Sequence, residues 1–579
     1  MASGFQRLAG KRTARAVAAA LMAIGLAAAA PPARQSPQAF LALVDQAEAR
    51  STARDWPGAI PLWRDVVAAN PVEGRFWNKY ATALYGAKDY RAAIPAFRKA
   101  IELGFGSPAA NTYNVACSYA LLGETDQAFT WLERALAMGF LNLDALRTDP
   151  DLASLRGDPR FARLVPVSPN PAGLSREEGW RQDLNFLLWQ IDRIGAAPYR
   201  LHPRSWFEQK FDALVASAPR RTDTQMSLDL LTILRGLGDG HSGVMHGATQ
   251  DWALTLPLKF EAFEEGIFIT ATDPAHRDLL GARLLEIGGR PVESVMAAVV
   301  DVVGRDNEGP WLRLQASYRL RNVALLAAAG LIPEGDGAAL RLRMLDGREQ
   351  VVRVAADMSQ PDIWNARPGP AGWATLGQTR PGPDPLYLRD PAKPYWFEYL
   401  PAERTIYFAF NSVTNDPAET LADFSRRLAA SIAQEKVDKL VIDMRWNNGG
   451  NTGLLTPLLA AIMRSEKVDR PGRIFVLIGG RTFSAAQNAA ALFDRFTEAT
   501  FVGEPTGSSP NFVGEDDPFT LPYSKLVVNV STLAWQSSYP QDRRTWIAPL
   551  LYIPPTFAAY LAKRDAALDA VLELPVPPG

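Results

Sequence analysis

The sequence predicts a multidomain chain of α plus α/β class: an all-helical stack, a helical cap, a β-rich region, and a core built on a mostly parallel sheet. Three observations predict it. At 579 residues the chain is too long for one hydrophobic core, because single domains hold about 100–200 residues. A period of about 34 residues runs through roughly residues 40–165. Over the last 180 residues or so, apolar strand-like runs alternate with helical patterns.

Bulk numbers exclude some function classes. Lys plus Arg total 61 and Asp plus Glu 62, for a net charge of -1. No basic excess draws in a phosphate backbone, so a nucleic-acid partner is not expected. Arg7, Lys11, Arg12 and Arg15 precede an apolar run, Ala16 to Ala30, in which Ala27 and Ala29 offer a small-residue cleavage site. This is the layout of a secretory signal peptide over residues 1–30. Pro31 blocks a cut directly after Ala30, which places the expected cut after Ala29 or slightly beyond. The run is short for a membrane span, which needs about 20 residues, although an uncleaved anchor is the alternative. A periplasmic or extracellular protein, with no integral membrane domain beyond that segment, is therefore expected. One cysteine, Cys117, allows no internal disulfide and reads as a small core residue.

Residues 31–168 are expected to form the helical stack. Ala59, Ala93 and Ala128 keep the period, as do Trp63, Phe97 and Leu132, and Val66, Ala100 and Ala135. Small residues where helices cross and large ones between them resemble tetratricopeptide repeats. Such a stack implies a concave surface for a peptide or partner, or else a spacer that only packs on its neighbour. Asp149 to Val165 reads as a closing cap, and Pro166, Pro169 and Pro171 as a linker.

A helical cap is expected over 169–250, with Leu184, Leu187, Leu188 and Ile191 on one helix face. Residues 251–400 turn to strands, Leu254 to Phe260 and Gly266 to Ala271, followed by Gly281 to Val292, which resembles a PDZ-like strand and turn. Pro- and Gly-rich residues 360–395 read as a surface connection. In 401–579 the expected strands are Ile406 to Phe410, Leu440 to Met444, Ile474 to Ile478, Thr500 to Val502 and Leu526 to Val530. The helices between them carry Leu421, Phe424, Leu428 and Ile432, then span Leu454 to Met463 and Ala485 to Phe496. Repeated β-α-β units argue a parallel sheet with helices on both faces, and chemistry then gathers beyond the strand C-termini.

Three polar, Gly-rich turns carry the candidate chemistry: Gly238-Asp-Gly-His-Ser-Gly-Val244, Asp443-Met-Arg-Trp-Asn-Asn-Gly-Gly450 and Gly479-Gly-Arg-Thr-Phe-Ser-Ala-Ala-Gln-Asn488. Ser484 stands at a strand-to-helix turn, where the Ala485 amide can face a developing oxyanion. Gly449 and Gly450 lack side chains, so a backbone N–H there can approach the same spot. A serine hydroxyl needs a base, and His241, with an ordinary pKa near 6.5, is the natural one. His202, His246 and His276 lie in no comparable motif. The plainer readings make Ser484 a helix N-cap, His241 a backbone-bonded turn residue, and Asp443 a strand-end residue that fixes its turn. A metal at His241 and His246 fits no known zinc spacing, and no cofactor is expected.

In their order and context the three turns resemble the S41 peptidase family, which comprises tail-specific proteases, the tricorn core enzyme and bacterial relatives, over roughly residues 175–573. The resemblance implies a ClpP/crotonase-like core and a serine peptidase acting on peptides or unfolded proteins. Many tail-specific proteases use a serine–lysine dyad, yet no lysine occurs from Pro471 to Ser524. What remains resembles the tricorn-like branch, in which histidine is the base and a later acid orients it. Asp542 is the candidate and Glu504 the alternative; where the family has an acidic Pro-Asp turn, this chain has Ala548-Pro-Leu550. Retinoid-binding relatives imply the rival function, a catalytically inactive peptide- or ligand-binding protein on the same scaffold.

Overall fold

The computed structural model describes residues 36–140, 142–164, 173–245, 254–358 and 365–576. The expected signal segment, the prolines of the linker and His246 lie outside the described residues. The chain divides into two compact units, Met1–Leu164 and Val165–Gly579. No described helix is long and apolar enough to cross a membrane.

The first unit is a run of helices, each packed on the next: α1 (Pro37–Thr52), α2 (Trp56–Ala69), α3 (Gly74–Gly86), α4 (Tyr90–Glu102), α5 (Pro108–Leu121) and α6 (Thr125–Ala137), then the short α7 (Leu143–Thr148) and α8 (Pro159–Arg163). Asp55 and Asp89 are N-caps: Asp55 accepts from the Gly58 amide and Asp89 from the Ala92 amide, satisfying orphan donors at the starts of α2 and α4. Ala59, Ala93 and Ala128 are wholly buried, as are Trp63 and Leu132, so the sequence period is a burial period. Small side chains let the helices approach, and the large ones fill the space between them.

The second unit opens with three helices, α9 (Arg176–Ile194), α10 (Arg204–Ser217) and α11 (Asp223–Leu234), and a two-residue strand, β1 (Gly243–Val244). Capping boxes start α9 at Ser175 and α11 at Thr222. A β-rich layer follows: β2 (Leu258–Phe263), β3 (Gly266–Thr272), β4 (Arg283–Ile287), β5 (Arg290–Pro291), β6 (Gly337–Arg343), β7 (Glu349–Ala355) and β8 (Ala374–Thr375). Its spine runs β2-β3-β4-β6-β7, with β5 on β4 and β8 on β3. Helices α12 (Val292–Val300), α13 (Pro310–Arg319) and α14 (Val323–Ala328) lie between β5 and β6 in the chain. The first strand of this layer starts at Leu258, not at Leu254, and β8 falls inside the Pro/Gly-rich connection.

The core sheet has β9 (Tyr395–Leu400), β10 (Thr405–Phe410), β11 (Lys439–Asp443), β12 (Ile474–Ile478), β13 (Thr500–Gly503) and β16 (Leu551–Tyr552), side by side in chain order. All pairs are parallel except β9 with β10. Every residue of β10, β11 and β12 is buried, which explains their unbroken apolar runs. Right-handed crossovers between successive neighbours fall on one face. Accordingly α15 (Leu421–Gln434), α16 (Leu455–Met463) and α17 (Ala485–Phe496) share one core with Ile406, Phe408, Ile442 and Val476. The other face carries Tyr407, Val441, Phe475 and Leu477 against Ala567, Leu568 and Val571 of α19 (Ala566–Glu573), which follows α18 (Phe557–Leu561). Strand β9 begins at Tyr395, so the core sheet takes in residues that the sequence reading assigned to the β-rich region.

Between β13 and β16 the chain leaves the sheet as a long hairpin, β14 (Asn511–Thr520) and β15 (Val527–Gln536). Strand β1 pairs antiparallel with β15, Gly243 opposite Asn529 and Val244 opposite Val528. The hairpin thereby fixes the segment that carries His241.

Candidate active site

Ser484 lies where β12 hands over to α17, beyond the C-terminal edge of the parallel sheet, the usual place for chemistry in this architecture. The loop before it is closed by Thr482, whose hydroxyl donates to the Met444 carbonyl (3.0 Å) and accepts from the Gly479 amide (3.2 Å). Ser484 has φ 53° and ψ −127°, and although it occupies the N-cap position its side chain makes no capping hydrogen bond. The N-cap reading of Ser484 does not hold. For a non-glycine residue such backbone geometry costs about 1–3 kcal/mol and persists only where surrounding structure enforces it. The hydroxyl is left for something other than helix capping.

The Asp443–Gly450 turn packs directly on this residue. A Cβ added at Gly449, where φ is +116°, would lie 2.7 Å from the Ser484 Cβ and 2.8 Å from the Ala485 nitrogen. Only glycine fits there. The Gly449 amide donates to Asn447 Oδ1 (2.9 Å), so it is occupied and corrects the expectation that it faces an oxyanion. The neighbouring ladder to Val413 uses the Gly449 carbonyl and the Asn451 amide, on either side of Gly450. Asp443 holds the turn as expected: its carboxylate accepts from the Arg445 amide (3.1 Å) and the Tyr407 hydroxyl (2.6 Å). Burial pushes that carboxyl up, but Arg445, shared with Asp565, outweighs it and keeps the acid below its ordinary range.

His241 is half-buried, and its ring is stacked between Phe483 (centroids 4.7 Å apart) and Phe512 of β14 (5.7 Å). Phe483 in turn stacks on Trp311 of α13 at 4.1 Å, making a column of four rings. The imidazole therefore rests on the side chain immediately before Ser484. A Cβ at Gly514 would lie 3.0 Å from the His241 ring, so β14 has glycine where the ring passes.

Two carboxylates fix the backbone of this turn. Asp239 accepts from the amides of His241 (3.0 Å) and Ser242 (2.6 Å) and from the hydroxyls of Ser242 (2.9 Å) and Ser531 (2.7 Å). Asp306 accepts from the Gly240 amide (3.1 Å) and from the Ser508 hydroxyl. Burial, reinforced by the charge of Asp239, pushes the Asp306 carboxyl up to about 7.

The expected third residue is placed otherwise. Asp542 accepts from Ser538 (2.6 Å) and is paired with Arg544 (2.7 Å), which also reaches Asp494 near the far end of α17. At 1.5 Å per residue, Asp494 stands about 15 Å along the helix from Ser484. Arg544 holds the Asp542 carboxyl well below the usual carboxylate range. Glu504 pairs with Arg313 (2.7 Å) in a separate cavity beside Pro310 and Ile553. No described contact joins either acid to His241. Of the other histidines, His202 stacks on Trp206 and His276 pairs with Asp273. Among the described residues, the ligand-type side chains close enough to share a metal ion are Cys117, Asp149 and Asp151 in the helical unit. There Tyr113 donates to Asp149 and Tyr85 to Asp151, while burial followed by the two acids pushes the Cys117 thiol well up. Cys117 is a protonated core residue.

Sequence reasoning missed Trp311, Phe512, Asp306 and Ser508. Asp239 lay inside a motif already singled out, and an Asp two residues before a Gly-flanked histidine is a signal for an Asx-type turn.

No family model matches the chain, and no curated protein matches its sequence. Solved structures do resemble it. Mature CPAF in complex with lactacystin aligns at 14% identity over 68% of this chain and 97% of that one, with a TM-score of 0.48. The photosystem II D1 C-terminal processing protease aligns at 12% identity over 66% and 94%, with a TM-score of 0.32. The N-terminal domain of stress-induced protein-1 from C. elegans aligns at 16% identity over 22% and 94%, with a TM-score of 0.18. At these identities the chemistry of the site rests on its own geometry.

Proposed function

We propose that the chain is an exported serine-type peptidase in which Ser484 is the nucleophile and His241 the base. One observation carries the reading: a serine in strained backbone geometry, with no capping bond, follows directly the side chain on which the histidine ring is stacked. In the proposed reaction His241 takes the hydroxyl proton as Ser484 Oγ attacks the scissile carbonyl carbon. The oxyanion is met by the amides of Ala485 and Gly450. Collapse breaks the C–N bond, the amine leaves with the proton from His241, and water then releases the acyl group. The order of motifs shared with the S41 family supports the same roles. Asp239 and Asp306 position the histidine through its backbone. The N-terminal helices supply a surface for a peptide or protein partner.

Replacing Ser484 with Ala should abolish peptide hydrolysis while leaving the thermal unfolding transition in place. A variant with unchanged turnover would remove Ser484 from the mechanism. The rival reading, a binding protein without catalysis, draws on the two candidate acids, both of which are spent on arginines.

A further inference from the structure

Beyond the C-termini of β11, β12 and β13 lies a cavity of about 170 Å³. Its walls are the turns that leave those strands, residues 261–263 of β2, the start of α13 and the stretch 553–567. Neither Ser484 nor His241 lines it. Much of the wall is apolar, with Phe263, Leu314, Ile478 and Ile553 facing the space. Crevices at this edge of an open parallel sheet are where small ligands bind. An apolar cavity of about 150 Å³ holds one benzene-sized molecule, so the space here suits a single ring.

The carboxylates around the cavity are already matched. Glu261 meets Lys259 at 2.9 Å, Glu504 meets Arg313 at 2.7 Å, and Asp565 meets Arg445 at 2.7 Å. Two neutral groups are not matched. Tyr387 and Tyr560 line the cavity, and neither phenol has a hydrogen-bond partner among the described residues. Elsewhere in this unit buried phenols are met: Tyr407 donates to Asp443 (2.6 Å) and Tyr395 to the Glu419 carbonyl (2.6 Å). Burial pushes both cavity phenols up, so each keeps its proton as a hydrogen-bond donor. Their rings are held in place. The Arg445 guanidinium carbon lies 4.9 Å from the Tyr387 centroid, and the Phe263 ring packs 5.3 Å from that of Tyr560. A hydroxyl taken out of water without a partner costs free energy that an acceptor recovers. Both phenols also feel the negative charge of Glu261, which disfavours an anionic acceptor beside them.

We infer that this cavity binds a compact, uncharged organic molecule, one ring in size, that carries acceptor oxygen for the phenols of Tyr387 and Tyr560. The site does not depend on the peptidase reading, because its walls leave out both members of the proposed catalytic pair. The competing outcome is a cavity in which water alone satisfies the two hydroxyls.

Para-fluoroacetophenone, para-fluorotoluene and para-fluorobenzoate are titrated into the full chain, with fluorine NMR as readout. The ketone should bind saturably and at least about threefold more tightly than the toluene, which has the ring and no acceptor. Tyr387→Phe and, separately, Tyr560→Phe remove one hydroxyl each and keep the ring. At least one of them should weaken the ketone by about three- to tenfold and leave the toluene unchanged. Equal affinities of ketone and toluene would overturn the inference, since water then suffices for the phenols. So would a ketone that never saturates, benzoate binding more tightly than the ketone, or ketone affinity unmoved in folded variants of both tyrosines. Ser484→Ala tells this site from the proposed active site and should leave ketone affinity as it is. Loss of binding in that variant would place the ketone on the serine and contradict a separate cavity.

Discussion

The Ser484 turn and the His241 turn are built in opposite ways. Ser484 is placed by its own stretch of chain, a buried strand, a five-residue loop and a helix, with Thr482 and the Gly449 turn closing around it. His241 sits in a turn with little local structure of its own. It is held by Asp239 on Ser531, by Asp306 on Gly240 and Ser508, by pairing of β1 with β15, and by rings from two distant segments. A nucleophile set by local chain geometry tolerates change elsewhere, whereas a base set by long-range bonds depends on a hairpin and on Asp239 and Asp306. The serine half should therefore fail through sterics and the histidine half through ionisation.

The largest expected effect is on the serine half. Gly449→Ala puts a methyl group 2.7 Å from the Ser484 Cβ, at a φ of +116° that alanine resists. A displacement near 1 Å at the nucleophile should cost about 10²-fold in kcat/KM. Peptide turnover within twofold of the parent would show that the two turns are less tightly joined than the contact implies.

A smaller effect is expected on the histidine half, visible as a pH dependence. Asp306 titrates near 7 when folded because of burial and then Asp239, against an ordinary value of 3.8. A carboxyl raised on folding contributes stability that is fully present below its unfolded pKa and is lost as pH rises through the folded value. The native protein should thus lose urea resistance between about pH 4 and 7 from this group, and Asp306→Asn should flatten that slope. Equal slopes in both proteins would mean that Asp306 does not hold its proton in the fold.

The smallest effect is assigned to Asp542. Its carboxylate is already engaged by Arg544 and Ser538, away from the serine turn, so Asp542→Asn should change kcat/KM by no more than a few-fold. A fall near 10⁴-fold would make Asp542 the orienting acid after all.

The same contrast explains what the sequence made legible. The unbroken apolar runs of β10, β11 and β12 declare a buried parallel sheet, and a strand-to-helix turn with Ser484 at its apex follows from pattern alone. The burial period of Ala59, Ala93 and Ala128 was equally readable, because repeated helix pairs impose it locally. The ring column was not, since Trp311, Phe483 and Phe512 come from three elements and an aromatic residue carries no sign of which ring it will meet. Asp306 was hidden for the same reason: its partners Gly240 and Ser508 lie far away in sequence, and a polar turn near Gly304 looks like any surface loop. The Gly449 amide shows a subtler limit. Glycine in that turn is required by close approach to Ser484, and the sequence reading took the same glycine for an oxyanion donor.

Activation of Ser484 by His241 can be read with a fluorophosphonate probe followed by peptide mapping of the full chain and of its His241→Ala variant. A single modified serine, Ser484, is expected in the parent chain, with labelling slowed by orders of magnitude in the variant. A folded parent chain that stays unlabelled, or equal labelling of Ser484 with and without the imidazole, would contradict it.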